Sequence, residues 1–389
     1  MNPSSLSIGI VCFRGLGGSS VVAAELAEGL AARGHRVHLV ARSRPSRAGG
    51  PNSRVQFHPL SIPEYPVFDH APYTLALAST LIELGRAHPL DLIQVHYAVP
   101  HAAAGYIARQ ALGPRGPKLV TSLHGTDVTR IGSDPAYRAG TAFSVSASDG
   151  VTVPSAFLRD EARHRLGLAP EVADAIEVIP NFVDTDHFRP LDPVERSRGP
   201  SRLHALFDGG DEGPVLFHVS NFRAVKRPLD LIEVLARVRR TIPARLVLVG
   251  EGPERGITER RAQELGLSAH VRFLGRRDDF AGLLQHADGF LLPSETESFG
   301  VAALESLSTG VPVFGYRVGG LPEVVCDGVG RLVEPLNLDA LAAAVVEVVG
   351  QPELRAQLSE KARLHAVDHF RLAPALQRWE AFFHRVLGR

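Results

Sequence analysis

Short apolar runs alternate with amphipathic segments along the whole chain, and this alternation restricts the fold more than any other feature. In the first half, strand-like runs fall at 7–13, 36–41, 55–59, 92–96, 118–124, 150–153 and 176–179. Helical patterns lie between several of them, at 20–33, 74–87, 99–112 and 156–166. The second half repeats the scheme. Its strand-like runs are 215–219, 245–249, 271–274, 289–292, 311–316 and 331–333, and its helical patterns are 228–239, 253–265, 280–286, 299–308 and 338–349. Almost continuously apolar strands that alternate with helices predict parallel sheets covered on both faces. Two such series predict an α/β chain of two Rossmann-like domains, with their sheets facing across a cleft.

The 389 residues suffice for two domains that each bury a core. Pro180-Asn181 ends the first series, and 191–214 is rich in Pro, Gly, Ser, Asp and Arg, so it reads as linker and surface. The expected domains are 1–185 and 186–371. The last segment, 372–389, is helical by pattern through Leu376, Trp379, Phe382, Phe383 and Val386 and is expected to pack back on the first domain.

Charge and cysteine content exclude several function classes. Lys and Arg number 42, as do Asp and Glu, so there is no basic excess for a polyanion or an anionic membrane. Only Lys118, Lys226 and Lys361 are lysines; for most positions this reads as a compositional background. No apolar run approaches the roughly 18 residues of a membrane span, and the start of the chain has no basic leader pattern. The two cysteines, Cys12 and Cys326, stand in no metal or redox spacing, which predicts a reduced, cytoplasmic setting.

Open parallel sheets bind ligands beyond the carboxyl ends of their strands, and the chain's chemistry concentrates there. Gly15-Leu16-Gly17-Gly18-Ser19-Ser20 follows the first strand and opens a helix. Glycines let backbone approach an anion, and a helix N-terminus offers free N–H groups. The third glycine of a dinucleotide fingerprint is replaced by Ser20, and no acidic residue ends the second strand. The plainer reading is a tight turn. Ser220 to Pro228 places Arg223, Lys226 and Arg227 at a strand end just before a helix, which suits a diphosphate. Its plainer reading is a solvated basic turn.

Glu297-Ser298-Phe299-Gly300 to Glu305 is the most specific motif. Eight helical positions bring Glu305 about 80° around from Glu297, so the two share no stripe, yet both can line one elongated ligand. The Phe299 and Gly300 N–H groups are expected in the first helical turn, free to donate. Otherwise Glu297 reads as a helix-start charge and Glu305 as a surface residue. His124-Gly125-Thr126-Asp127 ends another strand, with His96, Tyr97 and His101 on the neighbouring edge. The plainer reading is a capped helix start. No Cys partner or H-E-x-x-H supports a zinc site, so no metal is expected. Asp184-Thr185-Asp186 reads as turn and capping chemistry. No G-x-S-x-G or Walker sequence is present.

Together these motifs resemble the retaining GT-B glycosyltransferases of family 4, over nearly the whole chain. The resemblance rests on Gly17-Gly18, His124 to Asp127, Pro180 to Asp184, Arg223 with Lys226, and the Glu297/Glu305 pair. The segments Tyr65 to Phe68, Pro72 to Ser79, His96 to Ala102 and Ser220 to Arg223 look like the branch of that family that transfers GlcNAc from UDP-GlcNAc to the hydroxyl of L-malate, the first step of bacillithiol biosynthesis. The resemblance implies that Arg223 and Lys226 hold the UDP diphosphate, assisted by Gly17 and the Gly18 N–H. It gives Glu305 to the ribose, Glu297 with the Phe299 and Gly300 N–H groups to the donor sugar, and His124 to the region of the sugar's C6 hydroxyl. The acceptor falls to Ser19, Ser20, Tyr97, Ser122 and Asn181, with Arg130 a candidate for a malate carboxylate on position alone. Ser20 departs from the family's Gly-Gly-Ser-Gly turn. A positive φ there would cost a serine something, and a helical conformation would not.

The implied reaction needs no cofactor and no metal. Its partners are UDP-GlcNAc and L-malate, with no nucleic acid and no membrane; a homodimer stays open. Alternatives within the same architecture are another acceptor, such as inositol phosphate or a glycan, a UDP-sugar epimerase, or a non-enzymatic nucleotide-sugar binder.

Overall fold

In the computed structural model, which describes residues 5–13, 17–50, 52–192, 202–207 and 213–389, every pairing between strands is parallel. The strands form two separate sheets. The first contains β1 (Ser7–Val11), β2 (Arg36–Ala41), β3 (Gln56–Pro59), β4 (Leu92–His96), β5 (Lys118–Ser122), β6 (Gly150–Val153) and β7 (Glu177–Val178). Its order is β3-β2-β1-β4-β5-β6-β7. Ile8 sits beside Val37 on one side and Leu92 on the other. The order turns outward in both directions from β1 and β4, so their carboxyl ends form the switch point where such sheets take ligands.

The helices of this unit are α1 (Gly18–Ala32), α2 (Tyr73–Ala87), α3 (Ala103–Leu112), α4 (Thr126–Thr129), α5 (Pro135–Ser146), α6 (Ala156–Leu166) and α7 (Pro170–Asp174). They bury apolar stripes such as Leu77, Ala78, Leu81 and Leu84 of α2 against Val40, Ile93 and Val95 of the sheet. Each fully buried Leu or Val contributes roughly 1.5–3 kcal/mol relative to exposure.

The second sheet contains β8 (Val215–Val219), β9 (Arg245–Val249), β10 (Val271–Phe273), β11 (Gly289–Leu292), β12 (Val313–Tyr316) and β13 (Gly330–Val333), in the order β10-β9-β8-β11-β12-β13. It repeats the first arrangement, with its switch point between β8 and β11. Its helices are α8 (Pro228–Val238), α9 (Arg255–Glu264), α10 (Ala281–Leu284), α11 (Val301–Ser308), α12 (Leu321–Val324), α13 (Leu338–Val349) and α14 (Pro352–Phe370), followed by α15 (Leu372–Leu387). Phe217, Phe290, Val247 and Val313 lie in the core on one face of the sheet, and Leu216, Leu246, Leu291 and Phe314 in that on the other.

The chain divides into residues 1–181 with 373–389, and residues 182–372. The boundary thus lies at Asn181/Phe182 and not after 185. Val183 bridges to Arg371, Phe188 is fully buried in the second unit's core, and the Arg363 guanidinium donates to the Thr185, Phe188 and Ser308 carbonyls at 2.9, 3.0 and 2.9 Å. Those bonds tie 182–188 to the second unit. Within the first unit, α15 lays Leu376 on Gly29, joins Glu380 to Arg33 and His35, and packs Phe382 on Gly150. Most of the expected linker at 191–214 lies outside the described residues.

Several elements differ from their sequence expectation. The helix expected at 99–112 is regular only from Ala103; before it, 98–102 is an irregular wide turn with Val99 extended. Pro100 explains this, since the residue before proline avoids the helical region. The helix expected at 299–308 starts at Val301, because its N-cap Gly300 has φ +97. The helices α5 and α14 have no counterpart among the expected patterns. In α14 the buried residues are Leu358, Ala362, Ala366 and Phe370, a stripe one residue wide and half alanine, which gives little apolar periodicity. For α5 the signal was its cap: the Asp134 side chain accepts from the Ala136 N–H, with proline at the first helical position.

Candidate functional site

In the first unit the candidate residues follow β1, β4 and β5. Gly17 is the N-cap of α1, with an ordinary φ of −74, and a Cβ there would meet only Ser19 Oγ, at 3.8 Å. Neither backbone nor packing among the described residues requires a glycine, so the open space suits an outside group. Gly15 and Leu16 of the same run lie outside the described residues. Gly18 and Ser19 open the helix, where first-turn N–H groups lack intrahelical acceptors. Ser20 is helical and buried, and its hydroxyl donates to the Phe13 carbonyl at 3.0 Å. The serine therefore carries no positive-φ strain.

Tyr97 stands directly after β4 with φ +84. Its N–H donates to the Ser122 carbonyl at 2.9 Å, and its ring packs against Phe13 and His124, with centroids 5.1 and 5.2 Å apart. The Ser19 hydroxyl reaches its phenol oxygen at 3.5 Å. His124 Nε2 and His96 Nδ1 share a hydrogen bond at 2.8 Å. Burial holds His124 down to about 3 and His101 to about 4, and drives His96 well below its usual value. All three imidazoles are neutral at physiological pH, so they offer hydrogen bonds and stacking surface without charge. Ser122 takes a bond from Gln94 Nε2 at 3.1 Å and shares another with the Thr152 hydroxyl at 2.9 Å, so its oxygen is already engaged. Ser122, His96, His124, Asn181 and Trp379 line one small cavity. Arg130 is exposed beyond the end of α4.

The second unit's candidates follow β8 and β11. The turn after β8 holds Phe222 buried at φ +40, which delivers Arg223 to the surface. Gly252 packs so closely there that a Cβ would lie 1.9 Å from the Asn221 carbonyl oxygen. Arg223 is exposed, and its guanidinium has no hydrogen bond or ion pair among the described residues. Lys226 ends a short 3-10 turn and donates to Glu297 Oε1 at 2.6 Å. The Ser294 hydroxyl donates to the same oxygen at 2.7 Å. Glu295 N–H donates to the Val225 carbonyl at 2.8 Å, which ties the two turns together. Beneath them His218 bonds the Leu291 carbonyl and the Ser220 hydroxyl, both at 2.8 Å, and burial lowers it to about 4.

Glu297 is buried with 8% exposure and so is not a solvated helix-start charge. Sequence reading missed what brackets it. The Gly320 N–H donates to the Glu297 carbonyl at 2.8 Å, and a Cβ on Gly319 would lie 2.0 Å from that oxygen. The signal was present as Gly319-Gly320-Leu321-Pro322 after β12. Because α11 starts at Val301, the Phe299 and Gly300 N–H groups precede the helix and Glu305 begins its second turn. The Phe299 ring fills the core, and Glu305 is buried. Asp184 Oδ1 accepts the N–H groups of Asp186 and His187 at 3.0 and 3.1 Å, as a turn cap does. Among the described residues, no group of three His, Cys, Asp or Glu side chains is placed to hold a metal ion.

Family profiles match both units: Glycosyltransferase Family 4 over residues 16–187 and Glycosyl transferases group 1 over residues 208–365. The chain is 37% identical over 383 residues to the N-acetyl-alpha-D-glucosaminyl L-malate synthase of Bacillus anthracis, covering 98% of this chain and 97% of that one. It is 33% identical to a GDP-mannose-dependent alpha-(1-6)-phosphatidylinositol monomannoside mannosyltransferase of Mycolicibacterium smegmatis, over 79% of this chain and 80% of the relative. Among solved structures, Anabaena Alr3699/HepE in complex with UDP and glucose superposes with a TM-score of 0.77 at 21% identity, covering 97% of this chain and 98% of that one.

Proposed function

This chain belongs to the GT-B glycosyltransferases, and from that premise we propose that it transfers N-acetylglucosamine from UDP-GlcNAc to the hydroxyl of L-malate with retention, as the first step of bacillithiol biosynthesis. The observation that carries the reading is the 37% identity to the malate synthase across 98% of the chain.

The second unit supplies the donor chemistry. Arg223 is exposed and uncommitted among the described residues, so it can form a bidentate fork on a phosphate. Lys226 is held by Glu297 at 2.6 Å and would exchange part of that contact for the diphosphate. These cations offset charge that grows on the departing UDP, the kind of electrostatic stabilisation that dominates many enzymes. Glu297, with the Phe299 and Gly300 N–H groups, meets the donor sugar, and Glu305 the ribose. The first unit supplies hydrogen bonds for a hydroxy acid. Ser19, Tyr97 and Asn181 take the acceptor, while the Ser20 and Ser122 hydroxyls stay committed to Phe13 and to Gln94 and Thr152; His124 meets the sugar, and the N–H groups that open α1 suit an anionic group.

A retaining outcome through a protein nucleophile needs a free carboxylate. Asp127, three residues after His124, is fully buried on backbone N–H groups. A front-face route fits better. The C1–O bond to UDP breaks with its electron pair going to the phosphate, the acceptor oxygen bonds to C1 on the same face, and its proton passes to the departing phosphate. Side-chain cations do the neutralising work, so the reading needs no metal. No helix among the described residues is long and apolar enough to cross a membrane. A cytoplasmic setting belongs to the same reading, with both cysteines unpaired.

The test is UDP release and product mass with UDP-GlcNAc, with and without L-malate. Malate-dependent UDP release with a GlcNAc-malate product is expected. Release that requires inositol phosphate instead would move the acceptor, and acceptor-free isomerisation would make the chain an epimerase.

A further inference from the structure

We propose that Asp127 is a positioning residue that fastens the loops carrying Tyr97 and His124 to each other and so fixes the acceptor-binding geometry; this rests on the acceptor role given to Tyr97 above.

Asp127 has 0% exposure and lies on α4, a helix of only four residues. Its Oδ1 accepts the N–H groups of His124 and Gly125 at 3.0 and 2.9 Å. Its Oδ2 accepts the Ala98 N–H at 3.2 Å. The first two bonds are local and would serve to cap a turn. The third crosses 29 residues to the loop after the neighbouring strand, and capping does not require it. Among the described residues, no Lys, Arg or His side chain is a hydrogen-bond partner of it. Burial raises the carboxyl to about 6 even though backbone N–H groups pull it down, so holding a carboxylate here has a real cost.

That long bond controls Tyr97. A non-glycine residue at φ +84 is strained and persists only where its surroundings over-determine it. The peptide before Tyr97 is pinned by its own N–H on the Ser122 carbonyl, at 2.9 Å. The peptide after it is pinned by the Ala98 N–H on Asp127. With both planes held, the direction in which the Tyr97 side chain leaves the backbone is set. The same carboxylate sets the backbone at His124, whose ring packs on Tyr97. One buried group therefore sets the spacing of Tyr97, the candidate acceptor residue, and His124, the candidate donor-sugar residue, which pack on each other.

Asp127→Asn separates the two functions. Its amide oxygen can keep the His124 and Gly125 bonds, while its NH2 faces the Ala98 N–H, donor against donor. At pH 8 we expect D127N to raise the KM for L-malate at least about tenfold, with kcat lowered less and UDP affinity within about twofold of wild type. In a Tyr97→Phe background the same substitution should change the KM by less than about twofold, the non-additivity expected of residues acting as a unit. An unchanged malate KM in D127N, or full additivity with Y97F, overturns the proposal. Loss of UDP binding together with malate binding overturns it too, since that is a purely structural role. If Y97F itself leaves the malate KM unchanged, the acceptor assignment of Tyr97 fails and takes the proposal with it. Should D127N not fold, Asp127→Glu replaces it with the same expectations, because it keeps the charge but moves the oxygens by one methylene.

Discussion

The two units build their sites on the same scaffold and fill them with opposite chemistry. Both sheets turn outward from a central strand pair, β1/β4 and β8/β11, and both place candidate residues in the loops just beyond. In the first unit those loops carry rings and hydroxyls, and their imidazoles are held neutral by burial. In the second they carry an exposed arginine and a Lys226–Glu297 pair. A strand-loop-helix unit thus supplies position, and the loop residues alone decide whether it suits a hydroxyl or a diphosphate.

The largest test of this contrast is Lys226→Ala. It removes the proposed phosphate partner and leaves buried Glu297 without its cation, so kcat/KM should fall at least about a hundredfold, about 2.7 kcal/mol. A near-wild-type rate would mean that the charged site is not the donor site. Glu297→Gln is milder. It frees Lys226 from a competing carboxylate, so kcat should drop about tenfold, about 1.4 kcal/mol, while calorimetry shows UDP bound no more weakly. Weaker UDP binding would show that Glu297 positions Lys226 for phosphate.

Glycines sharpen the comparison through stability. Gly300 stands at φ +97 and a Cβ there would lie 2.8 Å from Leu321 Cδ1, so Gly300→Ala should lower stability by about 1–3 kcal/mol in denaturant titration. Gly17→Ala should change stability by less than about 0.5 kcal/mol yet reduce turnover, because among the described residues a Cβ there would meet only Ser19 Oγ, at 3.8 Å. Equal stability losses would show that both glycines serve packing alone.

Buried imidazoles set the acid limit. His38, His101 and His218 are lowered to about 4 and His124 to about 3, each chiefly by burial. Between about pH 4 and the usual imidazole value near 6.5, the unfolded chain therefore binds more protons than the folded one, and stability rises with pH. Asp127, raised to about 6, works in the opposite sense over part of that window, but four imidazoles outweigh one carboxyl. The thermal midpoint should be lower at pH 4.5 than at pH 7.5. A flat profile would mean that water reaches these rings. The smallest expected effect is that of EDTA, which should leave turnover unchanged; loss restored by Mg²⁺ would give the charged site a metal to share its work.

Much of this was legible before any coordinates. Near-continuous apolar strands gave away parallel sheets, and Gly17, His124, Arg223, Lys226 and Glu297 fall at or just beyond strand ends, as their spacing predicts. Helices with a broad apolar face, such as α8 and α13, were readable for the same reason. The helix α14 was not, since its contact with α11 runs along a stripe of Ala362, Ala366 and two larger residues. The start of α11 was missed because Gly300 takes a conformation that a residue name permits but does not demand. The pairing of Lys226 with Glu297 was also out of reach, because it joins positions 71 apart through the neighbouring of β8 and β11.

By itself the sequence determined the α/β class, the two-unit repeat and which strand ends carry the candidate residues, because these follow from local periodicity and residue type. Only the tertiary structure decided which of those residues are charged, committed or strained. Burial sets the neutrality of His124, strand order brings Glu297 to Lys226, and a bond across 29 residues lets Asp127 hold Tyr97. Each depends on neighbours distant along the chain, whose energies no local pattern records.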